Sequence, residues 1–314
     1  MKIFNKNISL IMTLAPIVLF VYNRPIHARL TLEALAKNEL SDQSILYIYA
    51  DGIKKNASSE QIQKIQEVRS LIREKQWCKE VIIIEREENL GVDNSEIRGV
   101  TEIINKFNKV IVLEDDLITS VGFLKFMNDS LEMYEDEPSA MGITGYNFPI
   151  QVKNENTFFI KGAFGWGWAT WKRAWEFFIA DAKELYDKII LDKARLKDFS
   201  FNNTIDYLGM LKKCYENEDK PWDIRWYASV YLLNGYNLFP YKSLVQNIGW
   251  DNTGTHCGDV DYYKTKMTES INLKKIPVEE IILNRKRLEL FFYRIKNPSI
   301  FRKVKRSFLN FLKH

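Results

Sequence analysis

The sequence predicts an α/β protein: a Rossmann-like, mostly parallel sheet flanked by helices and followed by a C-terminal helical tail. Three observations carry this. Apolar runs of strand length alternate with amphipathic stretches of helix length through residues 15–120. Three of those runs stop abruptly at polar residues, Asn23-Arg24, Asp51-Gly52 and Glu114-Asp115-Asp116. The chain has 314 residues, 46% hydrophobic and 27% charged, which suits a soluble protein with a large core. Strands alternating with helices imply parallel pairing through right-handed crossovers. In such sheets ligands bind beyond the carboxyl ends of the strands.

The elements follow in order. Ile8–Tyr22 is apolar and follows Lys2 and Lys6, which resembles a signal peptide. It falls short of the ~20 residues a membrane helix needs, and Pro16 interrupts it. PIVLFVYNRP is therefore read as a first, buried strand. Ile26 to Lys37 is a helix with Leu30, Ala34 and Leu35 on one side. SILYIYADG is a second strand. Ser58 to Glu74 is an amphipathic helix carrying Ile62, Ile65, Val68 and Ile72. EVIIIERE is a third strand, Asp93 to Phe107 a helix, and KVIVLEDD a fourth strand. One domain is expected over 1–265, with a nucleotide-binding half at about 15–120 and an acceptor and catalytic half at about 121–265. Residues 266–314 form the tail.

Composition removes several chemistries. Cys78, Cys214 and Cys257 are an odd number at unrelated spacings, which speaks against a disulfide framework or a CxxC metal site. His27, His256 and His314 form no HxxH pair, so a zinc centre is not expected. No Gly-rich P-loop occurs. Aromatics reach 13%, including 8 Trp, enough for both core packing and flat surfaces on which sugars or bases stack.

Three adjacent carboxylates at a strand end repel one another unless something positive offsets them. One of them suffices to hold Mg²⁺ or Mn²⁺, which keeps waters and takes substrate phosphates as its other ligands. The neighbouring acids then accept hydrogen bonds from ribose hydroxyls or a base. The bland alternative is a solvated loop, with Asp116 capping a helix that begins near Val121. After a VIVL strand, fourth in an α/β series, the metal reading is preferred.

Taken in order, FVYNRPIHARLTLEAL, YADG, NLGVDNSEIRGVTEII, VIVLEDDLITSVGFLKFM, FFIKGAFGWGWATWKRAW, PWDIRWYASV and GWDNTGTHC resemble the N-acetylglucosaminyltransferase I type of GT-A glycosyltransferase. The resemblance covers roughly residues 15–260. It implies a GT-A fold and an inverting transfer from a nucleotide-sugar, a UDP-sugar by analogy, to a glycan or lipid-linked hydroxyl in surface polysaccharide synthesis. By the same resemblance Arg24 approaches the nucleotide, Asp51 hydrogen-bonds the uracil, and Glu114 and Asp115 contact uridine and donor sugar. Asp116 binds Mn²⁺ (or Mg²⁺), and Asp223 is the catalytic base. Trp166 and Trp168 belong to the sugar side of the cleft, and His256 sits in a loop closing over the phosphates. The chain departs from the family in having Ile224-Arg225 where another acid follows the Asp. A non-catalytic nucleotide-sugar or glycan-binding relative is the alternative, and retention of both EDD and WD favours the enzyme. A nucleotidyltransferase would carry a Gly-rich basic motif near strand one, which NRPIHARL lacks.

Other readings compete at single positions. Asp223 can cap a helix starting at PWDIRW. GAFGWGWATW can be a tight turn leading into a helix from Ala169, with its tryptophans in the core. His27 is assigned a surface or capping role, and Arg225 either binds an acidic acceptor or pairs with a neighbour. The tail is more distinctive. Residues 285–314 carry ten Lys and Arg against one acid, Glu289, in a chain whose net charge is +4. Asn297-Pro298 signals a helix start, and Ile300, Phe301, Val304, Phe308, Phe311 and Leu312 form an apolar face. Such a helix lies on an anionic membrane, so the protein is expected in the cytoplasm at the inner face of the membrane. A helix docked on the domain is the alternative. A nucleic-acid partner is not expected, because no recognition fold accompanies the charge. A chain ending near Pro277 is expected to fold.

Overall fold

In the computed structural model the described residues are 13–152, 157–216, 221–251 and 262–298. The strands are β1 (Ile17–Val21), β2 (Ile45–Ala50), β3 (Glu80–Glu85), β4 (Lys109–Glu114), β5 (Leu117–Thr119), β6 (Ala140–Thr144), β7 (Phe158–Lys161), β8 (Trp168–Trp171), β9 (Tyr236–Phe239) and β10 (Val245–Asn247). The helices are α1 (Pro25–Leu35), α2 (Ser59–Leu71), α3 (Gly91–Phe107), α4 (Phe123–Met133), α5 (Lys172–Trp175), α6 (Ala182–Ile190), α7 (Lys193–Phe199), α8 (Tyr207–Glu216), α9 (Trp222–Leu232) and α10 (Ile282–Lys296).

Eight strands form one sheet in the order β3-β2-β1-β4-β8-β6-β9-β7, and β10 pairs with β5 in a small second sheet. Neighbours are parallel from β3 to β4 and between β6 and β9; β8 runs against β4 and β6, and β7 against β9. The expected mixed α/β class, with a large, mostly parallel sheet between helices, is what the chain adopts. Register places Val21 beside Ala50 and Phe20 beside Glu114, so the carboxyl ends of β1, β2 and β4 are neighbours.

Every residue of β1 is buried, because alternate side chains meet helices on both faces of the sheet. Ile17, Leu19 and Val21 join Ala28, Leu32 and Leu35 of α1 and Val68 and Leu71 of α2. Val18 and Phe20 join Val100, Ile103 and Ile104 of α3. Leu30 and Ile62, expected on inward faces, are 44% and 38% exposed. On α1 the inward position is taken by Thr31, whose hydroxyl donates to the carbonyl of Asp115 (2.8 Å). A polar side chain wins there because it satisfies a buried carbonyl.

Two further expectations are corrected. Trp168–Trp171 is strand β8, fully buried between β4 and β6, and the helix starts at Lys172 rather than Ala169. Residue 265 is no boundary, because α10 belongs to the main body. Its Leu288 and Phe292 lie in the core. Buried Arg285 binds Asp198 (3.0 Å), Glu289 (3.2 Å) and Glu280 (3.3 Å), with its guanidinium 3.8 Å from the Phe201 ring centre. A chain ending near Pro277 loses all of these contacts. The apolar face from Ile300 to Leu312 lies outside the described residues. Among the described residues no helix is long and apolar enough to cross a membrane.

Candidate active site

Arg24, directly after β1, supplies the positive charge that the Glu114-Asp115-Asp116 run requires. Its guanidinium donates to Asp115 and, at 3.0 Å, to Oδ2 of Asp116. Burial works against the Arg24 charge, but Asp115 and Asp116 more than offset it and raise its pKa. The turn is fixed from three sides. Thr31 holds the Asp115 carbonyl, the Ile248 N–H donates to the Asp116 carbonyl (2.9 Å), and Gly249 presses against the Asp116 side chain. A Cβ at Gly249 would lie 2.2 Å from Oδ2 of Asp116, so only glycine fits. Asp116 is therefore no helix cap: α4 starts later, at Phe123, with Gly122 as its N-cap.

The two oxygens of Asp116 differ. Oδ2 is engaged by Arg24, whereas Oδ1 is buried and has no hydrogen-bond partner. Burial raises the Asp115 carboxyl to about 6, with Arg24 opposing the rise. Burial, then the charges of Asp116 and Asp115, push Glu114 up to about 8.

A second group of acids approaches from α3 and α9. Asp93 accepts the Trp222 N–H (2.6 Å), so an acid of α3 caps the start of the neighbouring α9. Asp223 is the second residue of α9, not its cap; it is exposed, and its Oδ1 accepts the Ile224 N–H (2.7 Å). Glu96 was not anticipated. It is 1% exposed, neither carboxyl oxygen has a partner, and the charges of Glu114, Asp93, Asp223 and Asp116 act on it unfavourably. Burial, then Glu114, push its pKa well above the usual range. The sequence held one signal: Glu96 lies on the same helical stripe as Gly99, Val100 and Ile103, an acid on an inward face.

Other expected residues are placed differently. Asp51 ends β2 as expected, but its carboxylate accepts the N–H groups of Gly52, Leu90 and Gly91 and the Asn89 side-chain amide, at 2.9–3.0 Å. Those four donors fill the lone-pair sites of a carboxylate. Asp51 orders the entry to α3 and has no acceptor left for a uracil N–H. Trp168 is 2% exposed and stacks on Trp222 at 5.0 Å, so it is core. Trp166 is half-buried with φ +53°, edge-on to Tyr146 (4.7 Å) and Tyr263 (5.5 Å). That φ is uncommon for a bulky residue and marks a constrained turn. Tyr263 also stacks on Trp250 at 5.2 Å. His27, read as peripheral, lies 3.2 Å from Asp251 and reaches the same strand-end region. Arg225 is buried and donates to the carbonyls of Ala180 (3.1 Å) and Pro221 (3.2 Å), which settles it as a pairing residue. His256 lies outside the described residues.

The structure thus gathers Arg24, Glu114, Asp115, Asp116, Asp223, Asp93 and Glu96 at one rim of the sheet. Two surface grooves, of about 590 and 530 Å³, lie elsewhere, lined by residues such as Phe177, Leu191 and Leu233 and by Lys125, Asp129 and Ser270. Among the described residues no group of three or more His, Cys, Asp or Glu side chains can hold a metal ion. The orphaned Oδ1 of Asp116 fits a cation bound through a single carboxylate and completed by phosphate oxygens and water.

No family model and no curated protein matches the chain. Among solved structures it is similar to S. aureus TarS, at 14% identity and TM-score 0.30, covering 43% of this chain and only 22% of that one. It is similar to the mannosyltransferase PcManGT from Pyrobaculum calidifontis, solved with GDP-Man and Mn²⁺, at 9% identity and TM-score 0.37 over 69% of each chain. It is also similar to mouse xyloside xylosyltransferase 1, at 11% identity and TM-score 0.36, over 69% of this chain and 81% of that one.

Proposed function

We propose that the protein is an inverting, divalent-metal-dependent glycosyltransferase that moves a sugar from a nucleotide-sugar, taken as a UDP-sugar, to a hydroxyl of a glycan or lipid-linked acceptor. The observation that carries this is Asp116: one oxygen locked by Arg24, the other buried and unpartnered, while the charge of Asp223 in the first turn of α9 acts on neighbouring Glu114.

Asp116 would hold Mn²⁺ or Mg²⁺ through Oδ1, and the cation would offset the charge gathering on the departing diphosphate. Arg24 fixes Asp115 and Asp116 and adds positive charge on the nucleotide side. Asp115 and Glu114 accept hydrogen bonds from ribose and sugar hydroxyls. Asp223, exposed to an incoming acceptor, takes the hydroxyl proton as the acceptor oxygen bonds to the anomeric carbon and the bond to the diphosphate breaks. Asp51 holds the turn that borders the nucleotide site, and Trp166 with Tyr263 and Trp250 offers an aromatic wall to a sugar face. The basic residues beyond Pro298 would bring the enzyme to an anionic membrane and to a lipid-linked acceptor of surface polysaccharide synthesis.

The test is a panel of UDP- and GDP-sugars with purified protein and Mn²⁺, reading released nucleoside diphosphate. Release from at least one donor, abolished by chelation, is expected. No release from any donor, with nucleotide still bound, would leave the non-catalytic binding protein as the better reading.

A further inference from the structure

Helix α10 is apolar on two sides, and the fold covers one of them. Asn284, Arg285, Leu288 and Phe292 are buried, and the Phe292 ring lies 5.2 Å from both Phe148 and Phe201. The opposite side carries Ile282, Leu283 and Leu290, which are 69%, 52% and 44% exposed, beside Tyr293 at 40%. Lys286 and Arg294 are exposed on that side too, and half-buried Arg287 borders it. Spacings of three and four residues gather these side chains into one stripe. The one acid of the helix, Glu289, belongs to its inner margin, where it accepts from Arg285 (3.2 Å). A stripe of exposed aliphatic groups is unfavourable in water and marks a contact surface.

The charge pattern selects the partner. Protein interfaces are depleted in lysine, yet Lys286 lies within the stripe, one helical turn from both Ile282 and Leu290. At a bilayer the same arrangement is favourable. Aliphatic groups enter the boundary between headgroups and acyl chains, and a long basic side chain among them extends its charge to lipid phosphates. The 15 residues of α10 are too few to span a membrane, so the helix would lie in its plane. We propose that the outer face of α10 docks the folded protein on an anionic lipid bilayer, with Ile282, Leu283 and Leu290 inserted and Lys286 and Arg294 on headgroup phosphates. The contact thus belongs to the folded body as well as to the residues beyond Pro298. It also orients the site, a consequence that rests on the function proposed above. Phe291 of α10 meets Tyr263 at 5.8 Å, and Tyr263 touches Trp166 and Trp250, so the aromatic wall backs onto the docked helix. A lipid-linked acceptor would reach the cleft from the bilayer surface.

The experiment is co-sedimentation of the full-length protein with vesicles of phosphatidylcholine alone or with about 30% phosphatidylglycerol, at low and high salt. Wild type is compared with a triple variant, Ile282→Gln, Leu283→Gln and Leu290→Gln, and with a double variant, Lys286→Gln and Arg294→Gln. Wild type should prefer the anionic vesicles. The triple variant should bind them at least about tenfold more weakly at either salt concentration. The double variant should lose about fivefold per residue at low salt and little at high salt. All five positions are exposed, so both variants should melt like wild type. Anionic vesicles bound equally by wild type and the triple variant would overturn the inference, as would wild-type binding that ignores lipid charge. A wild-type dimer in solution that the triple variant makes monomeric, without vesicle binding, would overturn it in favour of a contact between two copies of the chain. Neither donor nor metal enters the measurement, so its failure is distinguishable from failure of the proposed sugar transfer.

Discussion

The two sides of the carboxylate rim solve the same electrostatic problem differently. On the α1 side, Asp115 and Asp116 are matched by Arg24, and their carbonyls are held by Thr31 and Ile248. On the α3 and α9 side, Glu96 and Glu114 are pushed toward the protonated form, and the charges around Glu96 are acids. The first side is finished by the fold. The second, together with Oδ1 of Asp116, is left for a ligand to finish. A chain that only needed stability would have placed apolar groups at Glu96 and Glu114.

The largest effect should come from the unfinished side. Asp223→Asn keeps the shape of α9 but cannot take a proton, so kcat should fall roughly 10²–10⁴-fold with UDP affinity little changed. Parallel loss of UDP binding would make Asp223 a positioning residue. Steady-state kinetics beside calorimetry separates the two outcomes.

On the finished side, Arg24→Gln leaves two buried carboxylates without their cation and should cost about 3–5 kcal/mol at neutral pH. Adding Asp115→Asn to that variant should restore part of the loss. Urea denaturation of the single and double variants measures both terms. A loss under about 1 kcal/mol would mean the pair is screened like a surface ion pair.

How far the sequence itself showed this division is instructive. The strand ends were legible because apolar runs of fixed length broke at Arg24, Asp51 and Glu114, and parallel pairing aligns such ends. The role of Asp51 was hidden, since the amides of Leu90 and Gly91 that saturate it come from about forty residues away. Glu96 was hidden because one acid on an apolar stripe looks like any helix residue until its neighbours are known. Strand β8 was missed because GWATW lacks alternation, and its pairing with Lys109–Val112 is long-range. The basic character of 285–296 suggested a free tail, yet Arg285 finds its partners at Asp198, Glu280 and Glu289.

Acidity gives a subtler contrast between the two sides. Glu114 rises from 4.5 to about 8 and Asp115 from 3.8 to about 6 on folding. A carboxyl whose pKa is raised by folding stabilises the native state fully below its unfolded value. That contribution is lost as pH climbs through the folded value. Ligand-free protein should therefore lose stability between about pH 4 and pH 8. Glu114→Gln should flatten the upper part of that slope, and Mn²⁺ with UDP should restore stability in wild type. Denaturation midpoints across pH would show it; a wild-type curve that rises with pH contradicts the assignment.

The tail should matter least to the chemistry. A chain ending at Pro298 keeps α10 and should fold and transfer like wild type to a soluble acceptor. It should bind anionic vesicles more weakly, by about 1 kcal/mol per basic residue lost near the surface. A chain ending at Pro277 should instead fail to fold, since it removes Arg285, Leu288 and Phe292. Co-sedimentation at low and high salt checks the first, and thermal melting the second.

The most direct test of the central claim is the affinity of UDP for wild type and Asp116→Asn, each with Mn²⁺ and with chelator, read by calorimetry. The account predicts that Mn²⁺ tightens UDP binding to wild type by about tenfold or more. Asp116→Asn should be folded, bind UDP weakly and ignore the metal. Equal Mn²⁺-dependent affinity in the two proteins would contradict the claim that the free oxygen of Asp116 completes a nucleotide-bound cation.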